Sequence, residues 1–196
     1  MVFPVFADLI RPVSRAHARA RDAALVGGFS LVIALSAQVA FPLPFTPVPV
    51  TLQTLAVLLA GALLGSRRGS IAVLLYLCEG LAGLPVFAGG GAGVAHLLGP
   101  TGGFLLGFLA AAYVVGRAAE RGWTCGGLPS LAVLLLGNAC IYLPGLAWLG
   151  AFVGLQHVIA LGLLPFLAGD ALKIAAGAGL LSAVSLATAR AAARGR

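Results

Sequence analysis

The sequence predicts an all-α membrane protein with six transmembrane helices and both termini on the inner side. Three observations carry that prediction. First, 61% of the 196 residues are hydrophobic and 9% are charged, where a soluble domain carries about 25% charged residues; mean hydropathy is +1.09. Second, apolar stretches are split by Gly, Pro and Arg, a pattern that favours spanning helices over a barrel. Third, the arginines are sorted. Spans at 23–41, 52–65, 70–87, 101–116, 129–143 and 168–189 place the N-terminal tail, the 66–69 and 117–127 turns and the C-terminal tail on one side. Those segments hold every arginine and the opposite loops hold none, as the positive-inside rule requires. A net charge of +7 in such short clusters suits topology and anionic headgroups, not nucleic acid.

Residues 1–22 read as a basic N-terminal tail on the cytoplasmic side, with Arg11, Arg15, Arg19 and Arg21. The first span, 23–41, is too long for the core of a cleaved signal and lacks a cleavage site. Ala24 and Gly28, like Ala23 and Gly27, have the small-xxx-small spacing that lets helices approach closely. Phe41 to Thr51 carries four prolines in eight residues, which excludes helix and predicts a stiff loop. Thr51 stands where an N-cap belongs for a short second helix. Gln53 and Thr54, in its first turn, serve either as caps or as cavity lining. Ser66 to Gly69 reads as a tight basic turn. The third span, 70–87, holds Glu79 with no partner evident from sequence. Gly89 to Gly93 gives a mobile loop, with His96 behind it; no Lys and Ser/Thr follow at phosphate-loop spacing.

On the fifth span Asn138 and Tyr142 are four apart and share a face. Residues 144–167 are apolar yet broken by Pro144, Gly150, Gly154 and Pro165. A seventh crossing there would carry the C-terminal arginines outside, so this segment is expected to lie on, or dip into, the outer side. The sixth span opens with Asp170 and Lys173, the one lysine of the chain. Three apart on a helix, they point the same way. Ionisable groups at membrane depth are costly and mark a substrate or ion path; a purely structural ion pair, or a snorkelling lysine, is the alternative. Arg190 lies 20 residues beyond Asp170, so the pair sits in the outer third. Residues 190–196 form a basic cytoplasmic tail. Cys78, Cys125 and Cys140 lack metal-ligand spacing and read as buried free thiols.

Five motifs in order, Val48 to Leu55, Gly83 to Gly90, Leu98 to Gly103, Gly137-Asn138 and Leu164 to Lys173, resemble the BioY family, the biotin-specific S components of energy-coupling factor (ECF) transporters. The resemblance spans residues 25–185. It implies a six-helix S-component fold in the bacterial plasma (inner) membrane, with biotin bound near the outer face. It also implies docking, through small residues such as Ala24 and Gly28, onto a transmembrane coupling (T) subunit with two ATPase subunits. No cofactor is expected, because ATP would be used only by those partners. Asp170 and Lys173 fall on the family's polar pair. The loops from Val48 to Gln53 and from Phe87 to Gly91 fall on segments expected to close over ligand. Glu79 has no counterpart role, and Ala168 stands where proline is expected before Gly169-Asp170.

Biotin chemistry suits these residues. Its ureido ring offers two N–H donors and a carbonyl acceptor, beside an apolar bicycle and a carboxylate tail. Asp170 can accept; Lys173, Asn138, Gln53 and Thr51 can donate; Tyr142, Phe87 and the Gly89-Gly90 loop can enclose. An S component for another vitamin would use the same frame. A membrane enzyme would need Ser182 or Ser185 to meet His157 or His96, which the topology places at opposite surfaces. A pore would need charge rings, which are absent.

Overall fold

In a computed structural model, residues 5–9 and 14–194 are described, with side chains only as far as residue 187; Arg11 and the basic tail 190–196 therefore fall outside the described side chains. The described chain is mostly helix. A short helix α1 (Phe6–Leu9) precedes α2 (Arg15–Gln38). The strands β1 (Ala40–Phe41) and β2 (Val50–Thr51) then pair antiparallel, Ala40 opposite Thr51 and Phe41 opposite Val50. They lead into α3 (Gln53–Leu81), the short α4 (Gly93–Leu97), α5 (Gly102–Ala119), α6 (Gly127–Val153), the short α7 (Val158–Gly162) and α8 (Leu167–Arg194).

Six crossings come from five continuous helices, because α3 doubles back. Gly65 has φ 85° and ψ 174°, a conformation that side chains oppose and glycine accepts. Beyond it the chain reverses: a β-carbon at Gly69 would lie 2.9 Å from the Ala60 carbonyl oxygen. The turn is therefore the single residue Gly65, and Ser66 to Gly69, expected as the turn, are already helix. Glu120, just past the end of α5, holds this start. Its Oε1 accepts from the Ser66 backbone N–H and from Ser66 Oγ, each at 2.8 Å, and Oε2 accepts from Arg117 at 2.9 Å. Burial raises the Glu120 pKa, but the Ser66 and Arg117 bonds outweigh it and hold the carboxyl below its ordinary value. Ionised Glu120 thus stabilises the fold above its unfolded pKa, and that contribution is lost as pH falls through the lower folded value. Glu120→Ala is expected to cost about 1 kcal/mol, as loss of a helix cap does, read as a lower melting temperature in detergent at pH 7.

Other boundaries also shift. Helix α2 starts at Arg15 rather than residue 23, capped by the Ser14 hydroxyl, which accepts from His17 N–H. Asp8 and Asp22 both accept from Arg68 at 2.8 and 3.1 Å, so part of the basic tail is folded against α3. Thr51 is not the N-cap, since Leu52 takes that place; its Oγ1 nonetheless accepts from Gln53 N–H at 3.3 Å. The proline loop, expected to be stiff, is closed at its base by the β1–β2 pairing. Helix α6 does not stop near residue 143 but runs through Pro144 to Val153. At about 1.5 Å per residue it is roughly 40 Å long. Residues 154–166 then fold back through α7 and a 3₁₀ turn (Leu164–Phe166) into α8, without a seventh crossing. Cys78 and Cys125 are exposed rather than buried.

The centre of the bundle is α3, α5 and α6, joined at small residues. A β-carbon on Gly116 would meet Ser66 N at 2.3 Å and Gly65 C at 2.5 Å; one on Gly61 would meet the Ala112 oxygen at 2.5 Å. Pro144 survives inside α6 because its ring packs over Gly107 of α5. Helices α2 and α8 are peripheral, with most of their apolar surface outside the core of the bundle. Glu79 has a partner after all: Ser30 Oγ on α2 donates to it at 2.8 Å, and Ser30 is fully buried.

Candidate functional site

The first turn of α8 faces the middle of α6 and the first turn of α3. Each brings the side chains that its sequence spacing predicts. Asn138 and Tyr142, one turn apart on α6, both donate to Asp170 Oδ2, at 3.1 and 2.6 Å. Lys173 Nζ donates to Asp170 Oδ1 at 2.9 Å and to Thr54 Oγ1 at 3.3 Å. Asp170 is 5% exposed, so an unpaired carboxylate there would be prohibitive. Three groups, Asn138 and Tyr142 from α6 and Thr54 from α3, thus hold one ion pair of α8 that carries no net charge.

This cluster forms the floor and one wall of a cavity that opens to the outside of the bundle. Thr51, Gln53 and Thr54 line it from α3 and its entry; Phe104, Leu105 and Phe108 from α5; Ile141 and Tyr142 from α6; Phe166, Asp170 and Lys173 from the α8 end. Phe104 and Tyr142 meet edge to face at 6.1 Å. The wall is therefore mostly apolar, with polar groups contributed by the α3 entry, α6 and the start of α8. Gln53 Nε2 is committed to the Tyr76 hydroxyl, and Tyr76 donates to the Val86 carbonyl at 3.3 Å.

Of the residues singled out from sequence, Asp170, Lys173, Tyr142, Gln53 and Thr51 lie on the cavity wall, and Asn138 stands behind Asp170. The other three lie elsewhere. Phe87 is fully buried, packed on Gly80, where a β-carbon would fall 2.1 Å from its ring. Gly89 borders a second, outer cavity, and Gly90 lines neither; both have φ near 70°, which glycine accepts. Sequence reasoning missed the part played by His96 and Thr101, which line both cavities; neither has a spacing signal. Ser182 and Ser185 donate to the carbonyls of Ala178 and Ser182, and no group of His, Cys, Asp and Glu suited to a metal occurs among the described residues.

The cavity lies at the opposite end of α3 from Gly65, and the described clusters of Arg68, Arg117 and Glu120 gather at the Gly65 end. The arginine-rich side and the cavity side are thus different ends of the bundle.

Comparison with known proteins agrees with this architecture. The BioY family profile matches residues 11–190. A biotin transporter BioY from Rhodobacter capsulatus is 42% identical over 168 residues, covering 79% of this chain and 87% of that protein. A probable biotin transporter BioY from Pyrococcus horikoshii is 39% identical over 159 residues, covering 80% and 91%. The crystal structure of the S-component for biotin from an ECF-type ABC transporter superposes with TM-score 0.80 at 26% identity, covering 88% of this chain and 94% of that one. Doubled-back α3, six crossings and a match along nearly the whole length leave one conclusion: the chain belongs to the BioY family.

Proposed function

We propose that this protein binds biotin in the cavity beside Asp170 and mediates its uptake as the substrate-specific component of an ECF-type transporter. The observation that carries the reading is the buried, charge-balanced cluster of Asp170, Lys173, Asn138, Tyr142 and Thr54 at the base of an apolar cavity. A neutral ureido head can share those hydrogen bonds without bringing net charge into a low-dielectric site. Asp170 is the acceptor for ureido N–H groups, held from behind by Asn138, and Lys173 supplies a donor for the ureido oxygen. Phe104, Phe108 and Ile141 enclose the bicycle. Relatives named as biotin transporters support the substrate.

The energy for transport belongs to partners: a transmembrane T subunit and two ATPase subunits. Gly27 and Gly28 on α2 support a docking face with Ala24, since nothing lies within 4 Å of a β-carbon at either glycine. The proposed setting is a bacterial plasma membrane, with the cavity opening outward and the arginine clusters inside.

Calorimetry of the detergent-purified protein against biotin, desthiobiotin and thiamine tests the substrate. Biotin is expected to bind tightly and desthiobiotin more weakly, because the latter lacks the thiophane ring that fills the apolar wall; thiamine is expected not to bind. A preference for thiamine would keep the fold and overturn the ligand.

A further inference from the structure

Between the cavity that holds Asp170 and the outer cavity stands a thin partition. Pro49, Ala88, His96 and Thr101 border both spaces. Of these four, only His96 can carry charge. Its ring stacks on Phe87 at 5.0 Å and 20°, and Phe87 is itself wedged against Gly80. On its other side the Nδ1–Cε1 edge lies against Gly91, where a β-carbon would come within 2.3 Å of Nδ1. The ring is therefore held between two residues, Phe87 and Gly91, yet neither ring nitrogen has a hydrogen-bond partner among the described residues. A positioned imidazole with unspent polar atoms, at the boundary of a ligand cavity and its antechamber, is placed to meet a ligand.

The charge balance says which part. Asp170 and Lys173 neutralise each other at the floor, and the outer cavity has no other titratable lining residue. A ligand with a neutral head and an acidic tail would leave its carboxylate at the partition. We propose that His96 is the recognition residue for the ligand's terminal carboxylate, so that the site selects an acid over its amide or ester. This rests on the biotin reading above. Binding then couples to protonation. Burial holds the His96 pKa below its ordinary value in the empty protein, so the imidazole is neutral at neutral pH. A carboxylate beside it favours the imidazolium, and binding takes up a proton at a pH between the free and bound pKa values. The groups that face the same cavity from α6 and α8 are Tyr142, Asp170 and Lys173; the ion pair is already formed and carries no net charge.

The test is calorimetry of the full chain with biotin and biotinamide between pH 5.5 and 8.5, on wild type, His96→Ala and His96→Arg. Wild type is expected to prefer biotin by about tenfold, the worth of one charge-assisted bond, and to bind it more tightly as pH falls. His96→Ala should bind both ligands alike and without pH dependence. His96→Arg should restore the preference with a flat pH profile, which a merely structural role for the ring would not give. If wild type binds biotin and biotinamide equally, or if His96→Ala keeps the preference, the inference is overturned while the cavity assignment stands. If neither ligand binds wild type, the cavity assignment itself fails. Should His96→Ala not fold, the wild-type pH profile and His96→Arg decide the matter.

Discussion

Asp170→Ala is expected to weaken biotin binding by at least about a hundredfold, measured by calorimetry on protein that still inserts and elutes as a single species. The magnitude follows from what the carboxylate holds. It accepts from Asn138, Tyr142 and Lys173 at once, and it is the one anion on the cavity wall. Removing one partner of a buried pair costs about 3–5 kcal/mol, mostly from the charge left behind. Here the orphan is Lys173, whose ammonium would then compete for water or repel the ureido N–H groups. Asp170→Asn keeps the shape and one acceptor oxygen, so a smaller loss is expected, yet still at least about tenfold. Lys173→Ala should fall in the same range. Wild-type affinity in both Asp170 variants would show that ligand binds elsewhere.

Gly116→Val is expected to destabilise the fold by about 3 kcal/mol or more, at the upper end of overpacking effects. For a chain of this size that corresponds to a fall of roughly 6–12 °C in melting temperature. The atoms a β-carbon would meet there belong to the backbone of Gly65 and Ser66, so no side chain can swing aside. The same place holds the reversal of α3 and the Glu120 cap, and a shift would disturb both. Gly179→Val is the matched control. Nothing lies within 4 Å of a β-carbon at Gly179, and its melting temperature should stay close to wild type. Equal effects at the two glycines would mean that the α3–α5 contact is not the close one described.

How much of this was legible beforehand depended on whether the cause was local. Span number and the arginine-rich side follow from hydropathy and charge, which the chain displays in order. The polar pair was legible because i, i+3 and i, i+4 spacings on α8 and α6 put each set on one face; that the two faces meet at Asp170 is tertiary. Pro144 misled because a proline normally ends a helix. Its tolerance depends on Gly107 in another helix, and on the α6 segment beyond it finding Gly103 to pack upon. Ser66 to Gly69 misled because Arg-Arg-Gly looks like a turn, while one residue, Gly65, does the work in a conformation that composition does not reveal. Thr51 and Phe87 show the same limit from the other side: one residue of register moved the cap, and a buried contact with Gly80 moved the ring away from the cavity. His96 could be found only from the two hollows it divides.

The web of bonds around Asp170 is built from the protein's own side chains, drawn from three rods of which one, α8, is otherwise loosely attached. An arriving vitamin therefore finds its berth moulded in advance, and forfeits little of its interaction strength to freezing side chains into place. The same web rivets the outermost rod to the rigid middle, so recognition and integrity of the bundle draw on the same few atoms.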